Sequence, residues 1–256
     1  MIIIACPVYK RDWILPAWFY FLENQSYDLS NIGFLFELGE DDEATLKTLS
    51  AWKNMHPEVQ IFDMEVRNDL AHFTHQEGTR QWTPAKYENM VSMRNSLLEK
   101  VRDIKPEAYL SLDSDILLTN TNTIELLLSH INNGIDAVNP LMYMTPFDEQ
   151  FPSVMSWVPG SDYEKAKREH PYPIGKLFKS DVIMAAKMMS KKVYMNSYYD
   201  FHPQGEDLGW SRSCARQGFE LYCASYIYAP HIMGQTHMAD FLKIGDKRQM
   251  KIYEAS

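Results

Sequence analysis

The sequence predicts an α/β fold, a mostly parallel central sheet flanked by helices, and three observations carry that reading. Short, predominantly apolar runs at residues 2–8, 32–38 and 108–112 have the length and hydrophobicity of strands buried on both faces. Segments with apolar residues at helical spacing alternate with them, as crossover connections between parallel strands require. Finally, 256 residues of which 45% are apolar can bury one substantial core in a single domain.

The elements follow in order. Residues 2–8 form a buried strand closed by Pro7, and Asp12 is positioned to cap a helix running to about Gln25, with Pro16 tolerable only near its first turn. Residues 32–38 form the next strand. Asp41 and Asp42 open a helix bearing Leu46, Leu49 and Trp52 on one face, and 59–66 alternates like a strand. From Arg67 to Pro84 the chain is polar and aperiodic, which predicts a long loop at the sheet's edge. Residues 85–101 are helical, with Met90, Met93, Leu97 and Val101 on one face; 108–112 is a strand, 122–131 a helix and 137–144 a strand. Five prolines, Trp157 and the Gly160-Ser161-Asp162 turn mark 145–175 as a mobile, irregular insertion. Then come a strand at 182–189, a helix at 206–217 closed by Gly218, a strand at 219–224 and a tail from 240 to 256. Met188 and Met189 read as core filler.

A formal charge of −9 argues against general attraction to nucleic acid or anionic membrane. Three cysteines, Cys6, Cys214 and Cys223, lack metal-type spacing and suggest reduced thiols in a cytoplasmic protein. No apolar stretch reaches the roughly 18 residues of a membrane span, so stable membrane insertion is not expected.

The chemistry centres on Asp113-Ser114-Asp115, two carboxylates one residue apart at the end of a strand. Such a pair can hold a hard divalent cation, which can in turn hold a diphosphate. Ligands of open α/β sheets settle beyond the carboxyl ends of the strands, so this turn and the Pro7-Val8-Tyr9 turn are expected to face one crevice.

With Cys6-Pro7-Val8-Tyr9 after the first strand, Met93-Arg94-Asn95 on a helix, Asp113-Ser114-Asp115, and Gly205-Glu206-Asp207-Leu208-Gly209-Trp210 before Arg212, the chain resembles a GT-A-fold glycosyltransferase, nearest to the family 2 type. The likeness covers roughly residues 1–231. It implies a Rossmann-like sheet with a nucleotide-sugar-binding half over 1–118 and an acceptor half over 119–239. By this resemblance a nucleoside diphosphate sugar, UDP rather than GDP, lies against Pro7, Val8, Tyr9 and Ser114. Tyr9 is expected to stack on the base, Arg11 or Arg94 to pair with phosphate, and Glu37, in preference to Glu40, to accept from base or ribose. Asp113 resembles the position that touches ribose or base and Asp115 the one that ligates Mn2+ or Mg2+, with His231 as a further ligand ahead of His237. Asp207, before Glu206, resembles the general base of inverting members, while retaining enzymes carry a similar acidic segment.

Around the acceptor, Trp210, Trp157 and Tyr163 are candidate contacts for a sugar ring. His72 and His75 are a weaker metal pair. A glycan, protein or small-molecule hydroxyl is the expected acceptor; hydroxymethylated DNA comes second, through a basic cluster of Lys165, Lys167, Arg168, Lys176 and Lys179. A sugar-1-phosphate nucleotidyltransferase would carry a glycine-rich basic loop after the first strand, and Tyr9-Lys10-Arg11-Asp12 has no glycine. A non-catalytic nucleotide- or carbohydrate-binding module has no need of both the metal and the base positions.

Overall fold

The structure, a computed structural model, describes residues 1–68, 82–143, 149, 151–169 and 171–243. Its centre is an eight-stranded sheet in the order β3-β2-β1-β4-β10-β5-β11-β8. Strands β1 (Ile2–Val8), β2 (Ile32–Gly39), β3 (Phe62–Arg67) and β4 (Ala108–Leu112) run parallel, as do β5 (Ala137–Leu141) and β11 (Leu221–Tyr228). A second sheet, β7-β6-β9, is built from β6 (Val154–Trp157), β7 (Ala166–Arg168) and β9 (Val182–Ile183). The predicted irregular insertion at 145–175 therefore carries the regular strands β6 and β7, and β8 (Leu177–Lys179) follows it at the edge of the main sheet.

Strand β1 shows why the sheet is central. All seven of its residues are buried, Ile2, Ile4, Cys6 and Val8 in one core and Ile3 and Ala5 in the other. The first core packs α1 (Leu15–Glu23) and α2 (Glu43–Met55) through aromatic rings, with Phe19 and Trp52 stacked 4.0 Å apart. The second joins α3 (Pro84–Ile104) and α6 (Glu206–Arg216) to the opposite face through Leu97, Tyr109, Met189 and Trp210. Helix α4 (Thr123–Asn132) precedes β5. Cys6, Cys214 and Cys223 are buried and free of disulfides. No helix among the described residues is long and apolar enough to cross a membrane.

Several local expectations change. Asp12 does not cap α1: the helix starts after Ile14, with Pro16 in its first turn. The cap that matters is Asp42, which accepts from Thr45 N–H at the start of α2 and also from Lys10 N–H, while Thr45 Oγ1 accepts from Arg11 N–H at 2.9 Å. The turn carrying Tyr9 and Arg11 is thereby pinned to a helix 34 residues downstream.

The predicted strand at 182–189 is two strands. β9 belongs to the small sheet, while β10 (Ala186–Ser190) inserts antiparallel between β4 and β5. Ala185 makes the break with φ +53°, a left-handed conformation uncommon outside glycine. Met188 and Met189 are fully buried. A short helix, α5 (Lys191–Asn196), follows unannounced by the sequence pattern. At Gly209 a Cβ would lie 1.8 Å from the Asp200 carbonyl oxygen, so α6 can lie this close to its own entry loop only with glycine there. His72, His75 and most of the 67–84 loop lie outside the described residues.

Candidate active site

At the carboxyl ends of β1, β2 and β4 opens a cleft of about 350 Å³. Pro7, Val8, Tyr9, Arg11, Asp113, Ser114, Asp115, Glu206, Asp207 and His231 all line it. Residues more than a hundred positions apart meet here because β1 and β4 are neighbours and α6 packs over the face they share.

The two carboxylates of the Asp113-Ser114-Asp115 turn serve different partners. Asp115, 4% exposed, meets Arg11 Nη2 at 3.2 Å through one oxygen and His231 Nε2 at 3.5 Å through the other. His231 is held there by backbone: it bridges Ile116, Ile232 N–H donates to the Asp115 carbonyl at 2.7 Å, and Leu117 N–H donates to the Pro230 carbonyl at 3.0 Å. Among the described residues no three His, Cys, Asp or Glu side chains are gathered into a ready metal cage. Asp115 and His231 nevertheless present oxygen and imidazole donors at one point with Asp113 on the same turn, a donor set suited to Mn2+ or Mg2+.

Asp113, which also lines the cleft, is tied through one oxygen to a buried charge network. Arg94, 1% exposed, donates to Asp113 Oδ1 at 2.7 Å, Glu206 Oε1 at 3.2 Å and Ser111 Oγ at 3.0 Å, and lies 5.5 Å from the Tyr199 ring. The expectation that Arg94 pairs with a substrate phosphate is thereby corrected. It does not line the cleft, and its guanidinium is committed to organising two carboxylates that do.

Lys187, unsuspected within its apolar strand, is fully buried and bonds Asp207 Oδ1. Ala185 N–H donates to Asp207 Oδ2 at 3.0 Å, and its carbonyl accepts from Asp113 N–H at 3.3 Å. The break between β9 and β10 thus ties both acidic turns together. A lone lysine inside a buried strand was the available signal, since lysine is rarely buried without a partner.

Burial and opposing charges separate the acids. Desolvation raises Glu206, with Asp207 raising it further and Arg94 pulling it down. Asp207 is also desolvated, but Lys187, Arg94 and the Ala185 N–H together hold it below the ordinary carboxylate range. Burial raises Asp113 against the pull of Arg94.

Glu37 requires a second correction. It is fully buried, absent from the cleft wall, and bonded to Arg67 Nη1 at 3.1 Å; Arg67 and Glu40 line the cleft instead. The aromatic expectations also shift. Trp210 is fully buried and donates to Ser197 Oγ at 3.0 Å, which removes it from acceptor contact. Trp157 and Tyr163 pack edge to face, with His202 beside Trp157, and do not line the cleft. Trp82 and Tyr87 line it in their place. Thr83-Pro84 between them is a helix-start pair, with Thr83 Oγ1 accepting from Lys86 N–H, and was the signal that α3 begins here.

His237 is half-buried and does not line the cleft. The basic residues divide between two sheets: Lys165 leads into β7, which holds Lys167 and Arg168, whereas Lys176 leads into β8, where Lys179 pairs with Glu220.

Residues 1–155 match the family model described as the N-terminal domain of glycosyltransferase family 25. A glycosyltransferase 25 family member of Aedes aegypti is 26% identical over 129 residues, 50% of this chain and 21% of that protein. Procollagen galactosyltransferase 1-A of Xenopus laevis is 23% identical over 129 residues, 50% and 21%. The match thus spans about a fifth of the length of these curated relatives. Among solved structures, GalNAc-T7 with UDP, GalNAc and Mn2+ superposes with a TM-score of 0.65 at 13% identity, over 91% of this chain and 44% of that one. Mannosyltransferase PcManGT of Pyrobaculum calidifontis, with GDP-Man and Mn2+, gives 0.58 at 10% identity, over 91% and 57%. S. aureus TarS 1-349 with UDP-GlcNAc gives 0.57 at 15%, over 93% and 60%. At such identities the likeness is one of fold.

Proposed function

The chain belongs to glycosyltransferase family 25, and we propose that it moves a hexose from a UDP-sugar to an acceptor hydroxyl with the help of Mn2+ or Mg2+. One observation carries the reading most: a candidate metal pair, Asp115 and His231, and a candidate base pair, Glu206 and Asp207, open onto the same cleft as the Pro7-Val8-Tyr9 turn. In this reading the nucleotide lies on that turn, with Tyr9 against the base and Glu40 taking the base or ribose contact expected of Glu37. Asp115 and His231, with Asp113 on the same turn, would hold the cation, which when bound would supply charge neutralisation for a leaving diphosphate. Arg11 supplies the guanidinium for that diphosphate, a role Arg94 cannot fill from its buried position.

Glu206 is the base. It takes the proton of the acceptor hydroxyl as that oxygen attacks the anomeric carbon, and the bond to the diphosphate breaks with its electron pair leaving on UDP. Both oxygens of Asp207 are engaged, by Lys187 and by Ala185 N–H, and its depressed pKa makes it a weak base; Glu206 is raised toward the working pH, where base catalysis is most effective. The acid limb of kcat/KM is therefore expected above the ordinary carboxylate range. Glu206→Gln is expected to lower transfer by about 10² to 10⁴-fold while leaving UDP affinity near wild type. An acid limb below the ordinary range would return the base role to Asp207.

The reading as a whole is tested by thermal shift with UDP, GDP, CDP, ADP and their sugar conjugates, each with Mn2+ or with EDTA. At about 100 times its Kd a ligand adds roughly 2.7 kcal/mol. The expected result is a shift with UDP that EDTA abolishes. UDP-galactose is the first conjugate to try, since two relatives are named procollagen galactosyltransferase. Stabilisation by none of the nucleotides would overturn the reading.

A further inference from the structure

One stretch of the cleft wall that holds Glu206 is left without a role by the proposed function. There the rings of Trp82 and Tyr87 stack 5.1 Å apart and only 3° from parallel. Tyr87 abuts Gly205, the residue immediately before Glu206: a Cβ on Gly205 would lie 3.7 Å from Tyr87 Cε1. Burial, and after it the charge of Glu206, raises the Tyr87 phenol pKa. Trp82 is the outer ring, 44% exposed, and its chain is anchored by the Thr83 cap and Pro84 at the start of α3. Asn89 and Gln204, which can donate to or accept from hydroxyls, line the same cleft.

A flat aromatic face beside a proton acceptor, with amide side chains nearby, suits a ligand with one apolar face and a polar rim. A pyranose has that form: its axial C–H groups pack on the ring while its hydroxyls point outward. The nucleobase does not compete for this platform in the proposed reading, because Tyr9, hydrogen-bonded to Asp41 at 2.9 Å, occupies the nucleotide end.

We propose that the Trp82–Tyr87 pair is the acceptor platform and that the acceptor is a glycoside, packed against this pair and reaching past Tyr87 with one hydroxyl directed at Glu206. This rests on the transferase reading above. The test uses the full chain with Mg2+ and UDP, as wild type, Trp82→Ala and Trp82→Phe. Saturation-transfer NMR would follow binding of methyl β-galactoside, methyl α-glucoside, lactose and a sugar-free peptide bearing serine and hydroxylysine. Separate measurements give UDP affinity and UDP-sugar hydrolysis without acceptor.

Wild type is expected to bind at least one glycoside in preference to the peptide. Trp82→Ala should weaken that binding about tenfold, the value of an aromatic contact near 1.4 kcal/mol, and Trp82→Phe should recover most of it. UDP affinity should remain at the wild-type level in both variants. Binding of no glycoside, equal binding of the peptide, no effect of Trp82→Ala on the acceptor, or a loss of UDP affinity in that variant would each overturn the proposal. Absence of UDP binding and hydrolysis in wild type would instead remove the transferase reading beneath it.

Discussion

Asp115→Ala is expected to lower sugar transfer by about 10³-fold and to erase the metal-dependent part of UDP binding. The magnitude follows from what removal of one preorganised group that stabilises developing charge commonly costs. Asp115 is 4% exposed and held between Arg11 and His231, so alanine there takes away the carboxylate that both groups face. The fold should survive, because Asp115 lies in the turn after β4 and its backbone bond to Ile232 N–H does not depend on the side chain. Two readouts separate binding from stability: the Tm without ligand, expected to change by a few degrees, and the Mn2+-dependent increment with UDP, expected to vanish. Transfer at wild-type rate in Asp115→Ala would show that the cation, if one is used, is held elsewhere.

What could be read from the sequence was what is local to an element's end. Asp113 and Asp115 follow an apolar strand, Glu206 and Asp207 open a helix after a glycine, and His231 follows a strand, so each acidic or imidazole group was visible from its neighbours. The partners of those groups were not. Arg94 meets Glu206 across 112 residues, and whether its guanidinium faces solvent or carboxylates depends on how α3 and α6 pack. Glu37 has the same history: the apolar run of β2 does not reveal that Arg67, on the neighbouring strand, pairs with it. Nor does an apolar run reveal its own interruption. Residues 182–189 keep strand character throughout, yet Ala185 divides them between two sheets, and antiparallel insertion of β10 between β4 and β5 is a property of topology alone. The same interruption delivers Ala185 N–H and Lys187 to Asp207, so the unread element carries the unread part of the site.

The largest stability effect is expected at Arg94. Arg94→Met keeps an apolar stem of similar reach but removes the cation shared by Asp113 and Glu206, leaving Lys187 paired with Asp207 and acting on Asp113. Removing one partner of a buried ion pair costs about 3–5 kcal/mol, chiefly because the abandoned charge stays buried. For a chain of this size that corresponds to a fall in Tm of about 10 °C. Arg94→Lys should recover only part of the loss, since an ammonium cannot satisfy Ser111, Asp113 and Glu206 from one planar fork. The deficit has a signed pH dependence. Glu206 and Asp113 already titrate above their unfolded values, and Arg94 pulls both down, so without it both rise further. A raised carboxylate favours the fold fully below its unfolded pKa and loses that contribution as pH rises through the folded one. The gap between Arg94→Met and wild type should therefore be widest near neutral pH and narrow on acidification toward the ordinary carboxylate range. Urea unfolding of both proteins between pH 7.5 and pH 4.5 would measure it, and a gap independent of pH would mean that Arg94 acts by filling space and not by neutralising the acids around the cleft.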